Sequence, residues 1–262
     1  SGSSTAGGTT TCTGTASSCN FSHNNKDQSL TATFNTVVAT KLAFGAQPTN
    51  TNKDAAVTPA VTVRILDASS NLVTSSTRSV TLAIGTNPSS GTLAGTTTVA
   101  AVGGIATFSN LSINNAGNGY TLVASSALPT PALTTATSTV FNINKLAQTI
   151  TFGAPVTKTY GDAPFVVSAT GGASGNAVTF SSQTPLICTT SGTNGSTVTI
   201  LAAGTCTIRA SQLGNSNYNA ANNVDQSFTV NKATLTVTAD NQSRAYNAAN
   251  PTLTATISGF AN

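Results

Sequence analysis

Apolar and polar positions alternate along most of this chain. Val61-Thr-Val63-Arg-Ile65-Leu66 alternates up to a final apolar pair, and Val80-Thr-Leu82-Ala-Ile84, Ile105-Ala-Thr-Phe108 and Tyr120-Thr-Leu122-Val-Ala124 keep a similar rhythm. The pattern resumes in Thr149-Ile-Thr-Phe152, Val178-Thr-Phe180, Val198-Thr-Ile200-Leu201 and Cys206-Thr-Ile208-Arg-Ala210. A two-residue period puts one set of side chains on a buried face and the other toward water, as in half-buried strands. Turn formers separate the runs: Asn87-Pro88-Ser-Ser-Gly91, Gly103-Gly104 and Gly192-Thr-Asn194-Gly195. Short strands broken by such clusters every 8–12 residues or so predict all-β sandwiches. The stretch from Ala220 to Val224 is asparagine-rich and has no apolar face, so almost no helix is expected.

Internal echoes organise these strands. Phe141-x-x-Asn144-Lys145 returns as Phe228-x-x-Asn231-Lys232, and Lys158-Thr-Tyr160 as Arg244-Ala-Tyr246. Each tyrosine is followed by a proline (Pro164, Pro251) and another alternating run, Phe165 to Ala169 and Leu253 to Ile257. Phe44-Gly-Ala likewise echoes Phe152-Gly-Ala. The spacings suit one immunoglobulin-sized sandwich per period. They predict tandem immunoglobulin-like β-sandwiches joined by very short linkers: part of a repeat over 1–36, sandwiches over 37–144 and 145–231, and the start of a further one over 232–262. With so few residues at about 145 and 232, neighbours cannot swing widely, and a semi-rigid rod is expected rather than a loose string. Residues 1–36 hold one clear strand, Ser29-Leu-Thr-Ala-Thr-Phe34, too little for a core. The expectation for both ends is either continuation in a longer polypeptide or completion by a neighbouring chain through strand addition.

Composition narrows the chemistry. Only 6% of the 262 residues are charged, and Met and Trp are absent. All acidic residues are aspartates (Asp27, Asp54, Asp67, Asp162, Asp225, Asp240), and His23 is the only histidine. Most acid–base, metal and nucleophile constellations need several of these missing groups, so no enzyme, cofactor or metal site is expected. Thr is the commonest residue, and Thr, Val and Ile suit a pleated, half-buried surface. The net charge of +4 comes from basic residues scattered singly, without the cationic stripe that tracks phosphates, so no nucleic-acid partner is expected. No apolar run approaches the roughly 20 residues of a membrane helix.

The four cysteines, Cys12, Cys19, Cys188 and Cys206, form two local pairs, and four cysteines permit three pairings. Cys12–Cys19 and Cys188–Cys206 are the predicted disulfides. A metal site is the rival, but the chain has no CxxC and no second histidine. Disulfides imply an oxidising, extracellular setting.

Several segments carry a resemblance. Gln148-Thr-Ile-Thr-Phe-Gly, Lys158-Thr-Tyr-Gly-Asp-Ala-Pro-Phe165 and Leu201-Ala-Ala-Gly-Thr-Cys-Thr-Ile-Arg-Ala-Ser211 resemble bacterial Ig-like domains of large surface proteins. The run from 233 to 260, with Leu-Thr-Val-Thr-Ala-Asp240, Tyr246 and Asn250-Pro251, is similar to the start of the "mostly bacterial Ig-like" (MBG) family. Residues 41–143 resemble another bacterial Ig-like class through Lys41-Leu-Ala-Phe, Pro59-Ala-Val-Thr-Val63, Asp67-Ala-Ser-Ser-Asn71 and Gly104-Ile-Ala-Thr-Phe-Ser-Asn-Leu-Ser112. Residues 12–34 are similar to the closing strands of a bacterial surface repeat. The resemblance implies an exported stalk or filament segment of an adhesin-like protein, with no catalytic residue to transfer.

The remaining candidates are modest. His23 reads as a turn residue. Asp67 and Asp162 could offer oxygens to calcium, but no two aspartates cluster, and Asp162 is expected to accept turn amides after Tyr160-Gly161. A Lys–Asn isopeptide bond would need a buried lysine. Asn20, Asn110, Asn194 and Asn241 satisfy the N-x-S/T pattern. Tyr120, Tyr160, Tyr218 and Tyr246 are the aromatics expected to be partly exposed or to form tyrosine corners. The expected function is a structural segment of an extracellular bacterial stalk or filament. Its expected partners are copies of itself or neighbouring Ig-like domains, and its low charge suits association into fibres. The alternative is adhesion or glycan recognition on loops such as 85–97 or 212–224.

Overall fold

The computed structural model describes residues 37–128 and 130–259. The expected 29–34 strand, His23, Asn20 and the Cys12–Cys19 pair lie outside them. The described chain is all-β, and its one helical element is a single 3-10 turn at Thr193–Gly195.

Two immunoglobulin-like sandwiches follow one another, each with its own apolar core. In the first, Lys41–Phe44, Val61–Leu66 and Ile105–Phe108 form one sheet. Facing it, Ala136–Thr137, Leu122–Ser125, Ser79–Ile84 and Thr98–Ala100 form a second, and Thr51–Asn52, Phe141–Asn144 and Gly117–Tyr120 a third. Alternation decides what is buried: Val61, Val63 and Ile65 are inside, whereas Arg64 is exposed. Tyr120, Phe108, Leu82, Leu122 and Phe141 complete a core of nineteen buried residues.

In the second sandwich, Lys158–Thr159, Val224–Asn231, Gly204–Gln212 and Val178–Ser182 lie side by side opposite Phe165–Val166, Thr197–Ile200 and Cys188–Ser191. Cys206, Ile208, Ala210 and Gln212 point inward from one strand at strict alternation. A disulfide joins Cys188 to Cys206 across the two sheets, with the Cα atoms 5.8 Å apart. Phe152, Phe180, Ile200, Phe228 and Val230 pack around it.

The two Phe-x-x-Asn-Lys segments occupy matching places. Phe141–Asn144 pairs in parallel with Thr51–Asn52, and Val224–Asn231 with Lys158–Thr159. The carbonyl of Asn144 accepts from Lys53 N–H at 3.0 Å, and that of Asn231 from Tyr160 N–H at 2.8 Å. Beyond residue 231 a hairpin of Thr236–Ala239 and Ala255–Ser258 is exposed on every residue.

Some expected strands differ. The run from Tyr120 to Ala124 is interrupted at Thr121, whose carbonyl and Oγ1 accept from the amides of Gly85 and Thr86 (both 2.8 Å). Phe165 to Ala169 divides between two ladders: Phe165–Val166 pairs with the Val198 strand, and Ala169–Thr170 with Thr151–Phe152. The last run begins at Ala255 rather than Leu253. Tyr120 is fully buried, taking the second of its two expected roles, and its hydroxyl donates to the carbonyl of Asn115 at 2.9 Å. A tyrosine bonded to backbone a few residues upstream is the tyrosine-corner arrangement.

Candidate functional site at the sandwich junction

The most elaborated polar feature is the place where one sandwich meets the next, and side-chain amides build it. Leu146, in the short connection, is itself paired: it donates to Asn217 O (3.0 Å) and accepts from Asn219 N–H (2.9 Å), a one-residue parallel bridge with Tyr218. The 213–219 loop therefore folds back along the connection and reaches the first sandwich. There Asn217 Oδ1 accepts from Ala116 N–H at 2.8 Å, and its Nδ2 donates to Asn115 Oδ1 at 3.3 Å. Lys145 Nζ donates to Asn215 O at 2.7 Å, and Lys53 Nζ stands 5.9 Å from the Tyr218 ring centroid. The ion pair with Asp54 holds the Lys53 ammonium above its ordinary pKa.

Both halves of the contact are pre-shaped. Asn115 is tied into the first core by the Tyr120 hydroxyl, and its Nδ2 donates to Ser89 O and Ser90 O at 3.0 and 3.2 Å. Burial pushes the Tyr120 phenol up. Across the junction, Asn215 Oδ1 accepts from the amides of Asn217 and Tyr218, and its Nδ2 donates to Ser174 O. Gln148 Nε2, Ser174 Oγ and Asn176 Nδ2 all donate to Leu213 O within 3.0–3.1 Å. Buried Gln212 donates to the carbonyls of Gly172 and Asn176 and accepts from Gly172 N–H. Gly214 admits the close turn, since a Cβ there would lie 2.3 Å from Tyr218 O. A continuous relay thus runs from the Tyr120 hydroxyl through Asn115, Asn217 and Asn215 to the buried glutamines. Amides suit this task because each supplies donors and an acceptor without the desolvation cost of a charge.

The 85–97 segment meets the relay through Ser89 and Ser90, and the 212–224 segment supplies Asn215 and Asn217. Asn217 makes the direct contact with the first sandwich, and the 85–97 segment braces its partner Asn115. Sequence reasoning missed Asn115, Asn217, Gln148 and Gln212, because an amide leaves no periodic trace; the Asn-Ser-Asn-Tyr-Asn run at 215–219 is the one local hint.

The other candidates stand apart. Asp67 accepts from Asn71 N–H at 2.8 Å and Nδ2 at 3.2 Å, and this bonding holds its carboxyl below the ordinary range. Asp162 accepts from Thr159 N–H at 2.9 Å, an amide before Tyr160 rather than after it. Among the described residues, no three His, Cys, Asp or Glu side chains gather as a metal set. None of the described lysines is buried, so the isopeptide amine has no candidate among them. Asn110, Asn194 and Asn241 are all exposed, and Asn110 engages both amide atoms with Thr96 (2.9 and 3.1 Å). Tyr246 is 95% exposed and Tyr160 half-buried. No described helix is long and apolar enough to cross a membrane.

The described residues also form concavities. A polar cleft of about 370 Å³ lies at the junction, between Asn118, Asn144 and Asn219. An open groove of about 550 Å³ lies on the second sandwich along Phe152–Val156 and Phe165–Ser168, where Lys158 Nζ sits 4.7 Å from the Phe165 ring centroid.

Residues 235–262 match the family described as MBG domain (YGX type). No curated protein matches the chain. Similar solved structures include the D0-D1 domain of intimin, at 20% identity, covering 71% of this chain and 98% of that one with a TM-score of 0.28. The Escherichia coli adhesin FdeC is similar at 15% identity over 79% of this chain and 70% of that one, TM-score 0.28. Domains 1–6 of the surface layer protein SbsC are similar at 14% identity over 88% and 38%, TM-score 0.29.

Proposed function

We propose that this chain, whose residues 235–262 are of the MBG type, is a non-enzymatic structural segment of an extracellular bacterial stalk or filament. In this reading the chain divides into part of a repeat (1–36), two sandwiches (37–144 and 145–231) and the opening of an MBG-type domain (232–262). The junction is the observation that carries it. A connection in which Leu146 is hydrogen-bonded on both sides, with Asn217 bridging to Asn115 and Ala116, fixes one sandwich on the next, as a spacer requires. The Cys188–Cys206 disulfide supports an oxidising compartment outside the cytoplasm. The low charge permits copies of the chain, or neighbouring Ig-like domains, to lie side by side.

Two measurements test it. Immunogold labelling of intact source cells is expected to place the chain outside the envelope; cytoplasmic label alone overturns the assignment. Small-angle scattering is expected to fit one fixed arrangement of the two sandwiches in the native chain and a broader ensemble for Asn217→Ala. Equal breadth in both would remove the junction as the reason for rigidity.

A further inference from the structure

The junction leaves some of its amides unused, and they converge. The side-chain carboxamides of Asn118, Asn144 and Asn219 line the 370 Å³ cleft, are exposed, and hydrogen-bond to nothing among the described residues. Their neighbours in the junction behave differently: Asn115, Asn215 and Asn217 each use both ends of the amide. Two buried residues, Ala116 and Ile143, give the cleft an apolar wall. Lys145, the one charged group lining it, already donates its ammonium to Asn215 O. The cleft thus offers three neutral groups, each both donor and acceptor, beside an apolar surface and without a free acid. Pockets that hold small molecules favour such places between structural units, with a few polar groups set against apolar ones.

We propose that this cleft binds a neutral saccharide unit. A sugar ring presents the complementary arrangement, with hydroxyls that both donate and accept around its edge. An anionic ligand finds a single cation here, Lys145, whose ammonium is drawn toward Asn215 O, and a purely apolar one would strip water from three amides without replacing those bonds. The walls come from both sandwiches: Asn118 and Asn144 from the first, Asn219 from the second. The site therefore rests on the docked junction proposed above, and Asn217 positions it without lining it.

The test uses the full chain and saturation-transfer NMR with lactose, cellobiose, maltose and N,N′-diacetylchitobiose, plus sialic acid as an acidic control. Transfer to at least one neutral disaccharide is expected, unchanged between low and high salt because no ion pair is involved. Losing two hydrogen bonds in Asn118→Ala/Asn219→Ala should weaken binding about tenfold or more. Both positions are exposed, so folding should persist, checked by an unaltered thermal transition. Asn217→Ala should weaken binding too, by loosening the walls. Absence of transfer to every neutral sugar, preference for sialic acid, or binding indifferent to the double variant overturns the site. Scattering on the same samples separates the two claims, since a fixed arrangement without sugar binding retains the spacer and rejects the cleft.

Discussion

The two sandwiches reach the same architecture by different means. The first buries nineteen apolar residues in one cluster, with Tyr120, Phe108 and Phe141 at its centre and no cross-link. The second buries thirteen, two of which are the half-cystines, and adds the buried amides of Gln148 and Gln212. Smaller domains bury a smaller fraction of their surface and depend more on covalent staples. The contrast teaches that the cross-link and the amides stand in for apolar area that the second unit lacks.

The sharpest way to test that division is to damage each unit where it is expected to be strongest. Phe108→Ala opens a cavity at a 1% exposed position of the first sandwich, which should cost about 3–5 kcal/mol. Calorimetry should show the first unit's transition falling steeply while the second barely moves. If both fall together by the same amount, the units are one cooperative body and the comparison fails.

The staple comes next. Replacing Cys188 and Cys206 with alanine releases a loop of 18 residues, worth about 3 kcal/mol in the chain-entropy view. Only the second transition should move, and a reductant should reproduce the shift in the native chain. A smaller loss is expected from Gln212→Ala. It leaves the Gly172 N–H and the carbonyls of Gly172 and Asn176, at half-buried and exposed positions, to water, at about 1 kcal/mol. Hydrogen exchange should report it as early opening of residues 171–176, with the first sandwich unaffected.

How much of this was legible beforehand follows from the same contrast. Residues 61–65 and 206–212 bury every second residue, so alternation alone locates their strands. The disposition of Tyr120 was legible only as two alternatives, exposure or a tyrosine corner, because an amphipathic ring in an alternating run serves equally well at a surface or in a core. The break at Thr121 and the division after Val166 were hidden too, since both depend on which ladder a strand joins, a long-range matter. The junction was visible only as brevity: few residues at about 145 implied restraint, but nothing periodic identified Asn217 or Asn115 as the groups supplying it. Polar side chains take their roles from partners a hundred residues away, and a single sequence carries no local record of such pairings.

The smallest expected effect separates the units by electrostatics at their surfaces. On the second sandwich Arg209 forks onto Asp225 through two 2.8 Å bonds, and the guanidinium holds the Asp225 carboxyl below its ordinary 3.8. On the first, Asp67 is lowered chiefly by the Asn71 amide. Because both carboxyls titrate lower when folded, each contributes stability above 3.8, and that contribution is lost as pH falls through the folded value. Asp225 is exposed and Asp67 only half-buried, so the shifts in Tm should be slight. Salt tells them apart. Raising ionic strength should erase the difference between native chain and Asp225→Asn, whose partner is a charge, but leave that for Asp67→Asn, whose partner is a backbone amide at 2.8 Å. A salt response at Asp67 equal to that at Asp225 would mean that Lys41, the nearby cation, governs that turn instead of Asn71.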